Sequence, residues 1–219
     1  MNPHAYSATE IAGVYRVIRE RRDVRHFKPG SLEPGQLERF VAAAHAGPSV
    51  GLMQPWRFIR ITNPELRARI HQHVNEERIQ TAHALGKRAE EFMQLKVEGI
   101  LACAEVLVVG LIDQRENFVF GRRTMPEMDL ASAACALQNF WLAARAEGIG
   151  AGWVSMFEPQ QLRDICGMPE GSQPIAVLCV GQVHEFYTAP MLELERWDKR
   201  RPLSDILFED RWDNPASAI

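Results

Sequence analysis

Long hydrophobic runs are missing from this 219-residue sequence. The longest, Val106 to Ile112, falls well short of the ~20 residues that a membrane-spanning helix needs. The opening MNPHAYSATE has neither the basic nor the apolar region of a signal peptide. A soluble, cytoplasmic protein is therefore the expectation. Cysteine is scarce: Cys103, Cys135, Cys166 and Cys179 are far apart, show no C-x-x-C spacing, and lie in apolar settings such as ILACAEVLVVG and IAVLCVG. They read as buried, reduced thiols. Neither charge dominates, since 25 Lys and Arg stand against 28 Asp and Glu for a formal net charge of -3. Neither nucleic acid nor an anionic membrane is indicated as a partner, and any polyanion must be met by a local cluster.

Several signatures of chemistry are absent too. No strand is followed by G-x-G-x-x-G or G-x-x-x-x-G-K-[ST], so neither a Rossmann dinucleotide site nor a P-loop is indicated. There is no G-x-S-x-G elbow for a hydrolase nucleophile. There is no H-E-x-x-H and no Cys/His set, and His71 and His73, two apart on a helix, do not share a face, so no metal site is expected. Internal repeats, low-complexity tracts and linkers are also lacking. One domain over 1–219 is the expectation for a chain with 46% hydrophobic residues.

What is present organises the chain. Ser7 and Glu10 stand in capping-box spacing before a helix with Ile11, Val14, Tyr15 and Ile18 at helical period, ending near Arg21 or Arg22. Pro29 and Gly30 stop the following DVRHFKPG from continuing it, which leaves Asp23 and Arg25 at a junction. A second helix runs from Pro34, with Leu37, Phe40, Val41 and Ala44 on one face, to Gly47. PSVGLMQP is a loop and WRFIRIT the strand that leaves it. From the cap Asn63 and Pro64 a long charged helical region reaches about Gly99, on the surface or over a site. AEVLVVGLI reads as a strand covered on both faces. MDLASAACALQNFWLAARAEG reads as a buried central helix, with Leu137, Phe140 and Trp141 in the core. GAGWVS and PIAVLCVGQV are further strands on either side of the short helix PQQLRDICG, and the tail 185–219 is a proline-punctuated arm. The sum is an α+β domain of about four core strands around a central helix.

Three stretches carry chemistry. In RRDVR, the guanidinium forks of Arg21, Arg22 and Arg25 suit a phosphate; a solvated helix end with Asp23 neutralising its neighbours is the plainer alternative. The carboxylate would weaken a pure phosphate clamp, so Asp23 is assigned to another part of the ligand. In GPSVGLMQPW, Ser49, Gly51 and Gln54 offer a hydroxyl, a close backbone and an amide to the rim of a flat heterocycle, or form an ordinary turn. In GAGWVSMF, the glycines admit a planar ligand and Ser155 donates to its polar edge, or is simply a strand-end serine.

Taken together, RRDVRHF, GPSVGLMQPWRFI and GWVSMF resemble the nitroreductase-like flavoproteins and, within them, the branch of 5,6-dimethylbenzimidazole synthases. GRRTMPEMDLASAACALQNFWLAARAEGIGAGWVS extends the likeness from Glu20 to Phe157, and RRPLSDILFEDRW in the tail also matches. Aspartate at position 23 marks the synthase branch, since ordinary nitroreductases tend to carry a small polar residue there. The resemblance implies a mostly antiparallel sheet flanked by helices with an extended C-terminal arm, and a homodimer with its site between subunits; the segment 63–99, which matches no family motif, is expected to form a lid that keeps water out. The resemblance also implies FMN as ligand, consumed in reduced form with O2 to give 5,6-dimethylbenzimidazole, the lower ligand of cobalamin, and erythrose 4-phosphate. An NAD(P)H-flavin reductase would supply the reduced FMN. Arg21, Arg22, Asp23, Val24 and Arg25 match the family's first clamp, Ser49 and Gln54 its ring-edge loop, and Gly152, Trp153 and Ser155 its third motif. Arg201 stands as a second phosphate contact, with Asp23 and Ser155 as the catalytic pair. The competing expectations are an NAD(P)H-dependent FMN nitroreductase or quinone reductase, and a flavin-storage protein.

Overall fold

The first helix, α1 (Ala8–Glu20), begins where its capping box sits: Ser7 N–H donates to Glu10 Oε2 at 2.9 Å, and Glu10 N–H donates to Ser7 Oγ at 3.4 Å. Two helix-end donors are thereby satisfied. In this computed structural model residues 2–216 are described, and the chain divides into two compact units, Met1–Phe186 and Tyr187–Ile219. No helix among the described residues is long and apolar enough to cross a membrane.

Four strands build the sheet of the first unit: β1 (Trp56–Arg60), β2 (Glu105–Leu111), β3 (Gly150–Val154) and β4 (Gln173–Gly181), in the order β1-β2-β4-β3. Every pairing is antiparallel. The unbroken apolar run of β2 has its cause in this architecture. Leu107, Val109 and Leu111 face a core shared with α2 (Gln36–His45) and α5 (Met128–Ala146), while Val106 and Val108 face a second core shared with α3 (Pro64–Leu85) and α6 (Pro159–Ile165). Helices cover both faces, so alternation of apolar and polar residues is not needed. Each wholly buried Leu or Phe, such as Leu107 or Phe140, contributes about 1.5–3 kcal/mol.

Three expectations are refined. The helical region after Asn63 is broken: Gly86 adopts φ 55°, a 3-10 turn spans Gly86–Arg88, and α4 (Ala89–Gln94) follows. A left-handed glycine ends α3 because side-chain-bearing residues resist that conformation. Ile70 and Val74 of α3 are fully buried, so the segment is core on one side. The four thiols are not uniformly buried: Cys103 and Cys179 are, whereas Cys135 is exposed on α5 and Cys166 is half-buried, its thiol pushed up to about 11 by burial. The apolar stripe of α1 does not turn inward either. Ile11, Val14, Tyr15 and Ile18 keep 39%, 53%, 65% and 48% of their surface accessible, and no residue of α1 is buried.

The second unit holds α7 (Met191–Leu194) and a 3-10 turn at Leu203–Asp205. Its end closes on itself, with Phe208 stacked on Trp212 and Glu209 N–H donating to Asn214 O at 2.8 Å.

Candidate active site

After α1 the chain extends along the open edge of β3. Val24 N–H donates to Ala151 O at 3.0 Å, Asp23 forms a parallel bridge with Ala151, and the Val24 side chain is 1% exposed. This seam brings the first and third motifs together. Asp23 Oδ1 accepts from Trp153 N–H and from Arg25 Nη1, both at 2.9 Å, and Asp23 Oδ2 accepts from Arg25 Nη2 at 2.6 Å. Arg25 Nη2 also donates to Trp153 O at 2.7 Å. Gly152 makes the approach possible, because a Cβ there would lie 2.1 Å from Val24 O.

Protein surrounds the Asp23 carboxylate on most sides, yet 44% of its side-chain surface stays accessible. The carboxylate is thus held by protein and still open to a small molecule. Burial raises its carboxyl above the ordinary 3.8, against the opposing pull of the Arg25 charge, the Trp153 amide and Arg21. A carboxylate moved toward neutral pH is a better proton acceptor there.

The other two arginines line the rim. The Arg21 guanidinium lies over the Trp141 ring, 4.4 Å from its centroid, and Arg22 Nη1 donates to Arg19 O and Arg21 O, both at 2.8 Å. Cations at a helix C-terminus are favoured by its dipole. Glu20 is engaged by Arg145 at 2.8 Å and by Arg16 at 3.2 Å. Arg21, Arg22 and Arg25 bring three guanidinium groups to the junction beside the Asp23 carboxylate.

Ser155 follows the end of β3, exposed, and among the described residues its hydroxyl has no hydrogen-bond partner. It borders a cleft of about 370 Å³ with Leu130, Trp153 and Pro174. Along an extended strand it stands roughly 7 Å beyond Trp153.

The second motif lies elsewhere. Ser49 Oγ accepts from Gln54 N–H at 3.1 Å, and Val50 N–H donates to Ser132 Oγ at 3.0 Å, fastening the loop to the start of α5. Leu52 and Gln54 hold φ of 53° and 48°, left-handed conformations that non-glycine residues avoid. Strain of this kind gathers at functional loops. The loop feeds β1, and β2 and β4 separate β1 from β3, a span of about 14 Å at ordinary strand spacing. Within one chain, then, Ser49 and Gln54 do not join Asp23 and Ser155. Arg201 is exposed in the second unit.

One contributor escaped the sequence reading. Trp141, assigned there to the core beside Leu137 and Phe140, is only half-buried. Its Nε1–H donates to Ala151 O at 2.8 Å and to Arg22 O at 3.1 Å, pinning the arginine junction to β3. A lone tryptophan in an alanine-rich helix is the signal that was available, because its N–H needs a partner.

The arginine side chains, the Asp23 carboxylate and, past the end of β3, the Ser155 hydroxyl thus follow one another along one sheet edge. Comparison with known proteins gives the family of the chain. The sequence profile described as the Nitroreductase family matches residues 18–182. A 5,6-dimethylbenzimidazole synthase of Rhodobacter capsulatus is 34% identical over 90% of this chain and 96% of its own. One from Rhodospirillum rubrum is 35% identical over 87% of this chain and 91% of its own. The crystal structure of a BluB-like flavoprotein from Clostridium difficile 630 superposes with a TM-score of 0.69 at 18% identity, covering 90% of this chain and 99% of that one.

Proposed function

The chain belongs to the nitroreductase family, and from that premise we propose that it works as a 5,6-dimethylbenzimidazole synthase, taking reduced FMN as substrate and O2 as co-substrate. The observation that carries this reading is the Asp23 carboxylate, clasped by Arg25 and the Trp153 amide yet still 44% accessible.

Arg21 and Arg22 hold the phosphate end, through planar donors matched to its oxygens. Asp23 accepts protons where the ring meets the sugar chain as the carbon skeleton is oxidised and cut. Ser155 orients the ring by hydrogen bonding. The reduced flavin supplies the electrons that O2 takes up. A separate NAD(P)H-flavin reductase replenishes it, since each turnover consumes the nucleotide.

The experiment mixes the protein with reduced FMN without oxygen, admits air, and identifies the small molecules by mass. 5,6-Dimethylbenzimidazole and erythrose 4-phosphate are expected, together with a third product that carries the remaining pyrimidine atoms of the ring and the oxygen taken up from O2. Return of intact oxidised FMN would overturn the reading. Steady NAD(P)H consumption with intact flavin would instead make the protein a nitroreductase or quinone reductase.

The site is completed by a second copy. The Ser49 and Gln54 loop leads into the sheet edge opposite β3, and the uncovered stripe of α1 offers a docking face. In a homodimer each loop serves its partner's Asp23. Asp23→Asn and Gln54→Ala subunits, each impaired alone, are then expected to recover activity when mixed. A mixed dimer would carry both lesions in one site and none in the other, so about half the activity of the unaltered dimer should return per heterodimer. Measured single-turnover product decides it, and no recovery would place both residues in one subunit's site.

A further inference from the structure

Arg25 differs from the other arginines of its motif. It is 8% exposed, whereas Arg21 and Arg22 are half-buried at the rim. Its two terminal nitrogens reach both oxygens of Asp23, at 2.9 and 2.6 Å, and Nη2 also reaches Trp153 O at 2.7 Å. The planar fork thus lies between a strand carbonyl and a carboxylate. A lysine, with one nitrogen on a flexible stem, cannot hold both. Gly152 closes the space around it, since a Cβ at that position would stand 2.6 Å from Arg25 Nη1.

We infer that Arg25 is a positioning residue that fixes the orientation of the Asp23 carboxylate against β3, and is not part of the grip on the nucleotide's phosphate. This rests on the reading of Asp23 as the proton acceptor. The charged groups facing Asp23 are Arg21 and Arg25 from its own segment, while β3 presents the uncharged Trp153 amide. From β4, Cys179 faces Arg25 as a neutral thiol, raised well above its ordinary value by Cys103 and by burial. On α5, Trp141 is uncharged and Arg145 is paired with Glu20. Arg25 is therefore the principal charge holding Asp23 ionised. Without it the carboxyl rises further, fewer sites hold carboxylate at a given pH, and the acid limb of product formation moves to higher pH.

The test compares Arg25→Gln and Arg25→Lys with the unaltered protein by FMN affinity, single-turnover rate at saturating reduced FMN, and pH profile. Both variants are expected to bind FMN as before and to form product about 10²-fold more slowly, the penalty of a misplaced reacting group. The acid limb should rise in Arg25→Gln, and less in Arg25→Lys, which keeps the charge. In an Asp23→Asn background, Arg25→Gln should cause no further loss, because its effect passes through Asp23. Weakened FMN binding with a normal saturated rate, an unmoved acid limb, or losses that simply add would overturn the inference. Should Arg25→Gln fail to fold, Arg25→Lys decides on FMN affinity and the saturated rate, which depend on the lost fork and not on the charge. If the unaltered protein makes no benzimidazole, the proposed function falls separately. The Asp23 carboxyl, titrated in ligand-free protein by isotope-edited infrared difference against Asp23→Asn, then still tests the coupling: a titration midpoint unchanged by Arg25→Gln would refute it.

Discussion

Asp23→Asn is expected to bind FMN and to lose benzimidazole formation by about 10²–10⁴-fold, the usual contribution of a positioned general base. Asparagine keeps the shape and one oxygen, so the bond from Trp153 N–H to Oδ1 can survive. It has no charge with which to take a proton. Its amide nitrogen meets Arg25 Nη2 where Asp23 Oδ2 now sits at 2.6 Å, donor against donor. The stability cost is set on the order of 1 kcal/mol, because 44% of the Asp23 side chain remains accessible and water screens the pair. Loss of activity at full folding and normal FMN affinity is the signature of a reacting group. The unaltered protein should show an acid limb above the ordinary aspartate value of 3.8, in the direction that burial moves this carboxyl. Benzimidazole quantified after one exposure to air, across pH, checks both statements. Undiminished product from Asp23→Asn would remove the residue from the chemistry.

Where local chemistry decides structure, the sequence was readable. Ser7 and Glu10 cap α1 as their spacing requires, and the β2 run is covered on both faces. The alanine-rich segment became α5 against the sheet. What could not be read depends on partners distant in sequence. The period of Ile11, Val14, Tyr15 and Ile18 predicts a helix with an apolar face, but period says nothing about which molecule covers it. Arg21, Arg22 and Arg25 look alike in RRDVR; only the fold turns Arg25 onto Trp153 O, 128 residues away. Composition likewise places Trp141 in the core, and only its partners, Ala151 O and Arg22 O, show that it braces the site. For the same reason the three motifs, though ordered along the chain, divide between opposite sheet edges.

Gly152→Ala is the substitution expected to do most damage to the fold and the site together. Gly152 pairs with Cys179 on one side of β3, and the 23–25 segment runs along the other. An added Cβ would lie 2.1 Å from Val24 O, and it needs about 3.4 Å for ordinary contact. Neither backbone can yield cheaply: Val24 N–H is bonded to Ala151 O at 3.0 Å, and its side chain is locked in the core at 1% exposure. The segment must therefore peel from β3, taking Asp23 away from the Trp153 amide and Arg25 away from its carbonyl. Overpacking of this kind costs on the order of 3 kcal/mol. A displacement near 1 Å at a reacting group lowers turnover by about 10²-fold even in the fraction that folds. Gly150→Ala is the comparison, because the new methyl meets only side-chain carbons of Val183 and Val24 at 2.6 and 3.2 Å. A rotamer shift of the half-buried Val183 can relieve the nearer contact, and Val24 need give only a few tenths of an ångström. Urea unfolding and single-turnover assays on the two variants should separate them, Gly152→Ala losing stability and product together while Gly150→Ala keeps most of its product. Equal behaviour would mean that the close approach of Val24 to β3 is not what holds Asp23 in place.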